Sequence, residues 1–410
     1  MKSFDQMLSD YAKMCVEIGI NIQKNQPLVI SAPIEGAKFV RMVAKHAYEK
    51  GASNVHINWT DDYLTRLKYD YAPLEVFENF PKWKKDMMID FAEQKAGFLS
   101  IYSEDPELLK GVDSKKINTN NRVSSENMKE FRNYTMNDIN PWCVVSIPTE
   151  GWAKKVFPND KKDDATNKLW HLIFEATSMN LEKPVLEWQN HIETLQERVD
   201  FLNESNFSKL IYKSSNGTNL EVELPKNHIW AGGGSYDASG TYFVANMPTE
   251  EVFTMPKKDG VNGVVYSTMP LNYSGNLIEN FKLRFKDGEI IDFDAEKNKH
   301  ILEELLNMDE GSKYLGEVAL VPYDSPISNL KTIFYNTLFD ENASCHFAFG
   351  KAYPTNIKDG EKMTKDELLK NGVNDSIIHE DFMVGSKDLN ITGVKDNGEE
   401  VEIFKNGNWA

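Results

Sequence analysis

A chain of 410 residues with 46 Lys and Arg against 63 Asp and Glu has a formal charge of −17. The acidic residues are spread along its length, so nucleic acid and anionic membrane are poor partners. Three widely spaced cysteines, Cys15, Cys143 and Cys345, form no CxxC pair, which argues against a disulfide framework or a zinc finger and fits a reducing cytoplasm. No apolar run approaches the roughly 20 residues needed to span a bilayer.

The length suggests two domains. Phe4, Met7, Leu8, Tyr11, Cys15 and Ile18 recur at helical spacing, interrupted by Asp5, Asp10 and Glu17, so the start of the chain reads as a helix rather than a signal peptide. An apolar run at Leu28 to Ala32, a helical pattern over 35–50 ended by Gly51, and a second run at Asn54 to Trp59 predict a strand, helix, strand unit with parallel strands. Further apolar segments at Gly97 to Tyr102 and Cys143 to Ile147 extend this into an α/β N-terminal domain over residues 1–185. A helix from Pro184 to Leu202, with Trp188, Ile192, Leu195, Val199 and Leu202 on one face, leads into residues 186–410. There Asn216-Gly217, Asp287-Gly288 and Asn406-Gly407 lie beside strand-like runs, which predicts an α+β, largely antiparallel-sheet C-terminal domain.

Four segments of this second half place Glu, His or Asp in strand-like or Gly-rich surroundings: Asn246 to Thr254, Gly316 to Pro322, Cys345 to Tyr353, and His379 to Asp381. His379 and Asp381, two apart in a strand, point to one face and can grip one ion. Glu317 sits in an apolar run where a carboxylate needs a partner, either a cation or solvent at an edge strand. Glu250 and Glu251 are adjacent; a strand sends them to opposite faces, whereas a turn after Pro248 lets both reach one site. His346 precedes Tyr353 by seven residues, with Gly350 between. Hard oxygen and imidazole donors of this kind suit a metal hydrolase.

Taken together, in this order and spacing, the segments resemble the thermophilic aminopeptidase family, the aminopeptidase T, aminopeptidase S and PepS type of metallopeptidase, over the whole chain. The resemblance implies a metal-dependent aminopeptidase of broad specificity that releases N-terminal residues from peptides with a free N-terminus through a water activated by two metals. It implies Glu251, Glu317, His346, Tyr353, His379 and Asp381 as ligands, with Glu250 as general base. It also implies a homodimer whose N-terminal domain helps enclose the active site. The mixed O and N donors fit zinc, cobalt, manganese or magnesium. A dipeptidase or amidase on the same site, or a peptide-binding protein without catalysis, is the competing expectation.

Other features read as structural. Gly232-Gly-Gly-Ser235 lacks the Lys and the strand-to-helix context of a phosphate loop. Cys345, directly before His346, cannot readily form a nucleophile and base pair with it. His228, Trp230 and Trp152 are expected in the core or beside substrate, and His46, His56, His171, His191 and His300 in structural roles.

Overall fold

The structure is a computed structural model that describes residues 2–273 and 276–410. Its contacts divide the chain into a first unit, Met1–Asn190 with Gly234–Pro248, and a second, His191–Gly233 with Thr249–Ala410.

The first unit opens with helix α1 (Phe4–Met14), whose N-terminus is capped where the Ser3 hydroxyl accepts from Gln6 N–H. Strand β1 (Pro27–Pro33), helix α2 (Ala37–Lys50) and strand β2 (Asn54–Thr60) form the expected unit. Gly51 ends α2 at φ 106°, the left-handed conformation that only glycine adopts without strain. With β3 (Gly97–Ile101) and β4 (Trp142–Val145) the strands make a four-stranded parallel sheet in the order β2-β1-β3-β4. Residues 245–247 run parallel to the open edge of β4: Val144 N–H donates to Ala245 O at 2.7 Å, and Met247 N–H to Val144 O at 3.0 Å. These backbone bonds bring Gly234–Pro248 into the first unit, a long-range return for which the sequence has no local signal. Trp152 lies fully buried in this unit.

Helix α3 (Pro184–Ser205) contains the point of division. The second unit holds two antiparallel sheets. One has nine strands, and its hairpins turn through Asp287-Gly288 and Asn406-Gly407, all four residues at positive φ as a tight two-residue hairpin requires. The other has five strands in the order β9-β8-β7-β6-β5, namely His379–Met383, His346–Gly350, Leu315–Leu320, Val252–Thr254 and Ala231–Gly232. These elements fit the expected α/β plus largely antiparallel architecture.

The register of the five-stranded sheet sorts its side chains. Ala319 faces His346, Glu317 faces Ala348, and Ala348 faces Asp381. Directly opposed residues share a face, so Glu317, His346, His379 and Asp381 project from one side. The alternate residues Val252, Val318, Leu320, Phe347, Phe349 and Phe382 enter the large apolar core of the unit on the other side. Leu315, two residues before Glu317, also belongs to that core. A bulge between Leu315 and Glu317 reverses the alternation there, sending Leu315 to the core and Glu317 to the polar face. Gly316 occupies the bulge, where a Cβ would stand 2.4 Å from Lys351 O and 2.5 Å from Gly350 O.

Backbone oxygens cannot yield as a flexible side chain can. Gly316→Ala should therefore lower unfolding free energy by about 1–3 kcal/mol, the range of an overpacked site. Urea denaturation measures this, and an unchanged midpoint would refute the fit of the bulge.

Candidate metal centre

Glu317 is 5% exposed and His346 is 1% exposed, yet both carry polar atoms at the centre of the sheet face. Glu317 Oε1 stands 3.5 Å from His346 Nε2, and its other oxygen, Oε2, 3.5 Å from His379 Nε2. Glu251 Oε2 lies 3.2 Å from His346 Nε2, and Asp381 Oδ1 lies 3.7 Å from His379 Nε2. The donor atoms fall into two groups, Glu251, Glu317 and His346, then Glu317, His379 and Asp381, and within each they lie within 4.8 Å of one another.

Both imidazoles are oriented by backbone. His346 Nδ1–H donates to Ser344 O at 2.9 Å, and His379 Nδ1–H to Lys351 O at 2.7 Å. In the neutral ring this leaves each Nε2 lone pair facing carboxylate oxygens, an arrangement that needs a cation or a proton between them. Glu251 Oε2 and Asp381 Oδ1 are buried without a hydrogen-bond partner among the described residues. Such orphaned oxygens are what a bound cation would satisfy, so the donor set fits divalent metal.

Protonation registers the same crowding. Burial alone lowers the His346 pKa, but Glu251 and Glu317 outweigh it and hold the ring well above its ordinary value. Burial raises the Glu317 carboxyl, with His346 and His379 opposing and the neighbouring Glu251 and Asp381 reinforcing the rise. Tyr353 stacks at a tilt near His379, ring centroids 4.8 Å apart. Burial, then Glu317 and Asp381, push its phenol well above the usual range, so without a cation it stays neutral.

Glu250 belongs to neither group. Its Oε2 lies 3.7 Å from His191 Nε2, and burial raises its carboxyl to about 7 against the pull of that ring. His191, which the sequence marks only as a helix residue, donates from Nε2 to Thr249 O at 2.7 Å. Glu341 is a further acidic group that sequence reasoning missed. Burial raises its carboxyl well above the usual range, and Asp381, Glu251 and Glu317 add to the rise. Asp340-Glu341-Asn342 reads in sequence as an ordinary solvated polar run, and no spacing motif distinguishes it. Cys345 is buried, its thiol pushed up to about 12 by burial, and its Sγ–H donates to Val321 O at 3.2 Å, so it stays protonated and inert. Gly232 has a packing role: a Cβ there would stand 2.7 Å from Glu251 O.

Oxygen and imidazole donors on a water-poor sheet face are those of a metal-dependent hydrolase. A family profile described as thermophilic metalloprotease (M29) matches residues 4–409. Aminopeptidase AmpS of Bacillus subtilis (strain 168) is 52% identical over 410 residues, covering 100% of both chains. Aminopeptidase 2 of Geobacillus stearothermophilus is 48% identical over 410 residues, 100% of this chain and 99% of its own. The solved structure of wild-type AmpT from Thermus thermophilus matches with a TM-score of 0.93 at 35% identity, covering 100% of each chain. The chain belongs to the thermophilic metalloprotease family M29. Among the described residues no helix is long and apolar enough to cross a membrane.

A cation that fills the site binds the native fold alone. Adding divalent metal to chelator-stripped protein should raise the unfolding midpoint, by about 2.7 kcal/mol of stability at free metal near one hundred times the dissociation constant. Glu317→Gln should remove most of that gain. Thermal melts with and without metal decide it, and an equal gain in both proteins would remove Glu317 from the site.

Proposed function

We propose that this metallopeptidase is an aminopeptidase that releases N-terminal residues from peptides with a free amino terminus, with broad specificity, at a centre of two divalent cations. The ligand set is Glu251, Glu317, His346, Tyr353, His379 and Asp381. The observation that carries the proposal is Glu317: its two oxygens face two different imidazoles and it belongs to both donor groups, so it would serve both cations. Each group holds three protein donors, which leaves room for substrate in a catalytic rather than a closed structural site.

When bound, such ions polarise the scissile carbonyl and lower the pKa of water. The chain's own groups do the rest. The backbone carbonyls at Ser344 and Lys351 hold both imidazoles in one tautomer, so their Nε2 atoms point at the reaction face. Glu250, buried beside Glu251 but outside both ligand groups, is proposed to take the proton from the attacking water and hand it to the leaving amine. Tyr353, its ring 4.8 Å from that of His379, is proposed to act as a ligand through its phenol or to donate to the developing oxyanion. The donors fit zinc, cobalt, manganese or magnesium. The proposal extends to a cytoplasmic homodimer, a setting supported by three cysteines that are all free and buried.

Leucine p-nitroanilide and an unblocked pentapeptide test the reaction after chelation and after return of cobalt, zinc, manganese or magnesium. Stepwise N-terminal release should require metal, fail on the N-acetylated pentapeptide, and be lost in Glu317→Gln. Glu250→Gln should lower kcat by about 100-fold or more, the contribution of a positioned base. Cleavage of dipeptides alone would favour a dipeptidase, and metal binding without any hydrolysis would favour a binding protein.

A further inference from the structure

We propose that the first unit holds a ligand site of its own, in the cavity between strands β1 and β3 and the helices Lys82–Glu93 and Lys129–Met136. The site takes an uncharged aromatic ring that bears one hydroxyl, the chemistry of a phenol or of a tyrosine side chain. None of its lining residues is a metal donor, so the inference stands apart from the reading of the metal centre.

The cavity has a volume of about 210 Å³, more than the roughly 150 Å³ of an apolar cavity that accommodates benzene. Its place follows from the strand order β2-β1-β3-β4. The chain steps from β1 out to β2 and then returns past β1 to β3, so the order reverses between β1 and β3. That reversal is the crevice where open parallel sheets bind ligands, toward the carboxyl ends of their strands. Ser31 of β1 and Ser100 of β3 are directly paired there, and both line the cavity. One row toward the amino ends, the paired Val29 and Phe98 are buried, with Met88, Phe131 and Trp142 packed against them. In a parallel sheet covered on both faces such positions are normally apolar throughout. Here two adjacent strands change to serine in the same row, and open space lies over that row.

The lining selects the ligand. Phe98 and Phe131 meet edge to face at 4.9 Å, and the Trp142 indole is fixed by donating to Asp138 Oδ1 at 3.1 Å, so the aromatic walls are set before a ring enters. No Asp, Glu, Lys, Arg or His lines the cavity. A charged ligand would lose its water there without gaining a partner. The loops after β2 and β3 carry Asp61, Asp62, Glu104 and Asp105, which further disfavours an anion. The polar groups left for a ligand are hydroxyls. Neither Ser31 nor Ser100 has a hydrogen-bond partner among the described residues. Thr135 Oγ1 donates to Arg132 O at 3.3 Å, which leaves its oxygen able to accept. A ligand hydroxyl, donor and acceptor at once, suits this set. Ser100 is exposed and Ser31 half-buried, so the cavity opens at Ser100.

Ligand-observed NMR titration of the full chain with p-cresol, toluene and benzoate tests this, alongside N-acetyltyrosine methylamide, a blocked residue without a free amino terminus. Binding of p-cresol should be about tenfold tighter than that of toluene, the worth of one net hydrogen bond. It should be tighter than that of benzoate by about tenfold or more. Ser31→Ala combined with Ser100→Ala keeps the space but removes both hydroxyls, and should bring the preference for p-cresol over toluene below about threefold. Ser100→Leu fills the cavity from its mouth; it should abolish p-cresol binding and leave the thermal midpoint unchanged or higher. Binding of the blocked tyrosine together with p-cresol identifies a side chain of a peptide as the occupant, and binding of p-cresol without it identifies a free phenol. Absence of p-cresol binding, equal binding of benzoate, an unchanged preference in the double variant, or p-cresol binding that survives in folded Ser100→Leu each overturns the inference.

Discussion

Charge concentrated on a dry surface is the constraint around which the second unit is built. Glu251, Glu317 and Asp381 gather with His346 and His379, and the buried Glu341 carboxyl is raised further by the charges of Asp381, Glu251 and Glu317. A carboxylate taken out of water is stable only with a partner, and these carboxylates have mainly each other and two imidazoles whose lone pairs face them. Protons can relieve the conflict partly, which is why the His346 ring is held well above its ordinary pKa although burial pulls the other way. Cations relieve it fully. The tension is thus the affinity of the site seen from the metal-free side.

That tension can persist because the sheet is secured from its opposite face. Val318, Leu320, Phe347, Phe349 and Phe382 commit the strands to a large core of the unit, and a slip by one residue of a strand that carries Glu317, His346, His379 or Asp381 would turn those polar side chains into the hydrocarbon. Register and site are therefore one specification. In this sheet the bulge at Gly316 breaks the alternation where Leu315 and Glu317 must part company. Ala319 and Ala348, opposite His346 and Glu317, keep the centre of the ligand face open for ions that larger residues would exclude.

Much of this was legible in sequence, and the boundary of legibility has a physical form. Local signals were readable: the apolar periodicity around Leu28 and Asn54, the Gly51 stop, and the Asp287-Gly288 and Asn406-Gly407 turns. So was the strain of a Glu in the run from Leu315 to Val321, since a carboxylate among apolar neighbours asks for a partner. Relations set by long-range pairing were not. Nothing near Ala245 announces that it will pair with Val144, nothing in Gly232-Gly-Gly-Ser235 reveals that the first glycine makes room for Glu251 O, and Asn342 looks like any polar turn residue until its amide is found against Glu250 N–H. The family resemblance named candidate ligands, but the groups that hold them speak through backbone atoms, and a backbone contact leaves little trace in side-chain chemistry.

Those backbone contacts also bear on how a metal-dependent hydrolase avoids losing its site when metal leaves. If ligands were oriented only by the ions, the metal-free face would rearrange to separate its like charges, and rebinding would bear the full cost of ordering them again. Here each imidazole is tied to a carbonyl two or more residues away, and the segment leading to Glu251 is tied at Thr249 and Glu250. Repulsion among the carboxylates then acts against a scaffold that cannot relax, so it is stored as binding free energy rather than dissipated as motion. The apolar face supplies the stability that makes this storage possible, and the polar face converts it into affinity for cations and, through them, into chemistry on the peptide bond.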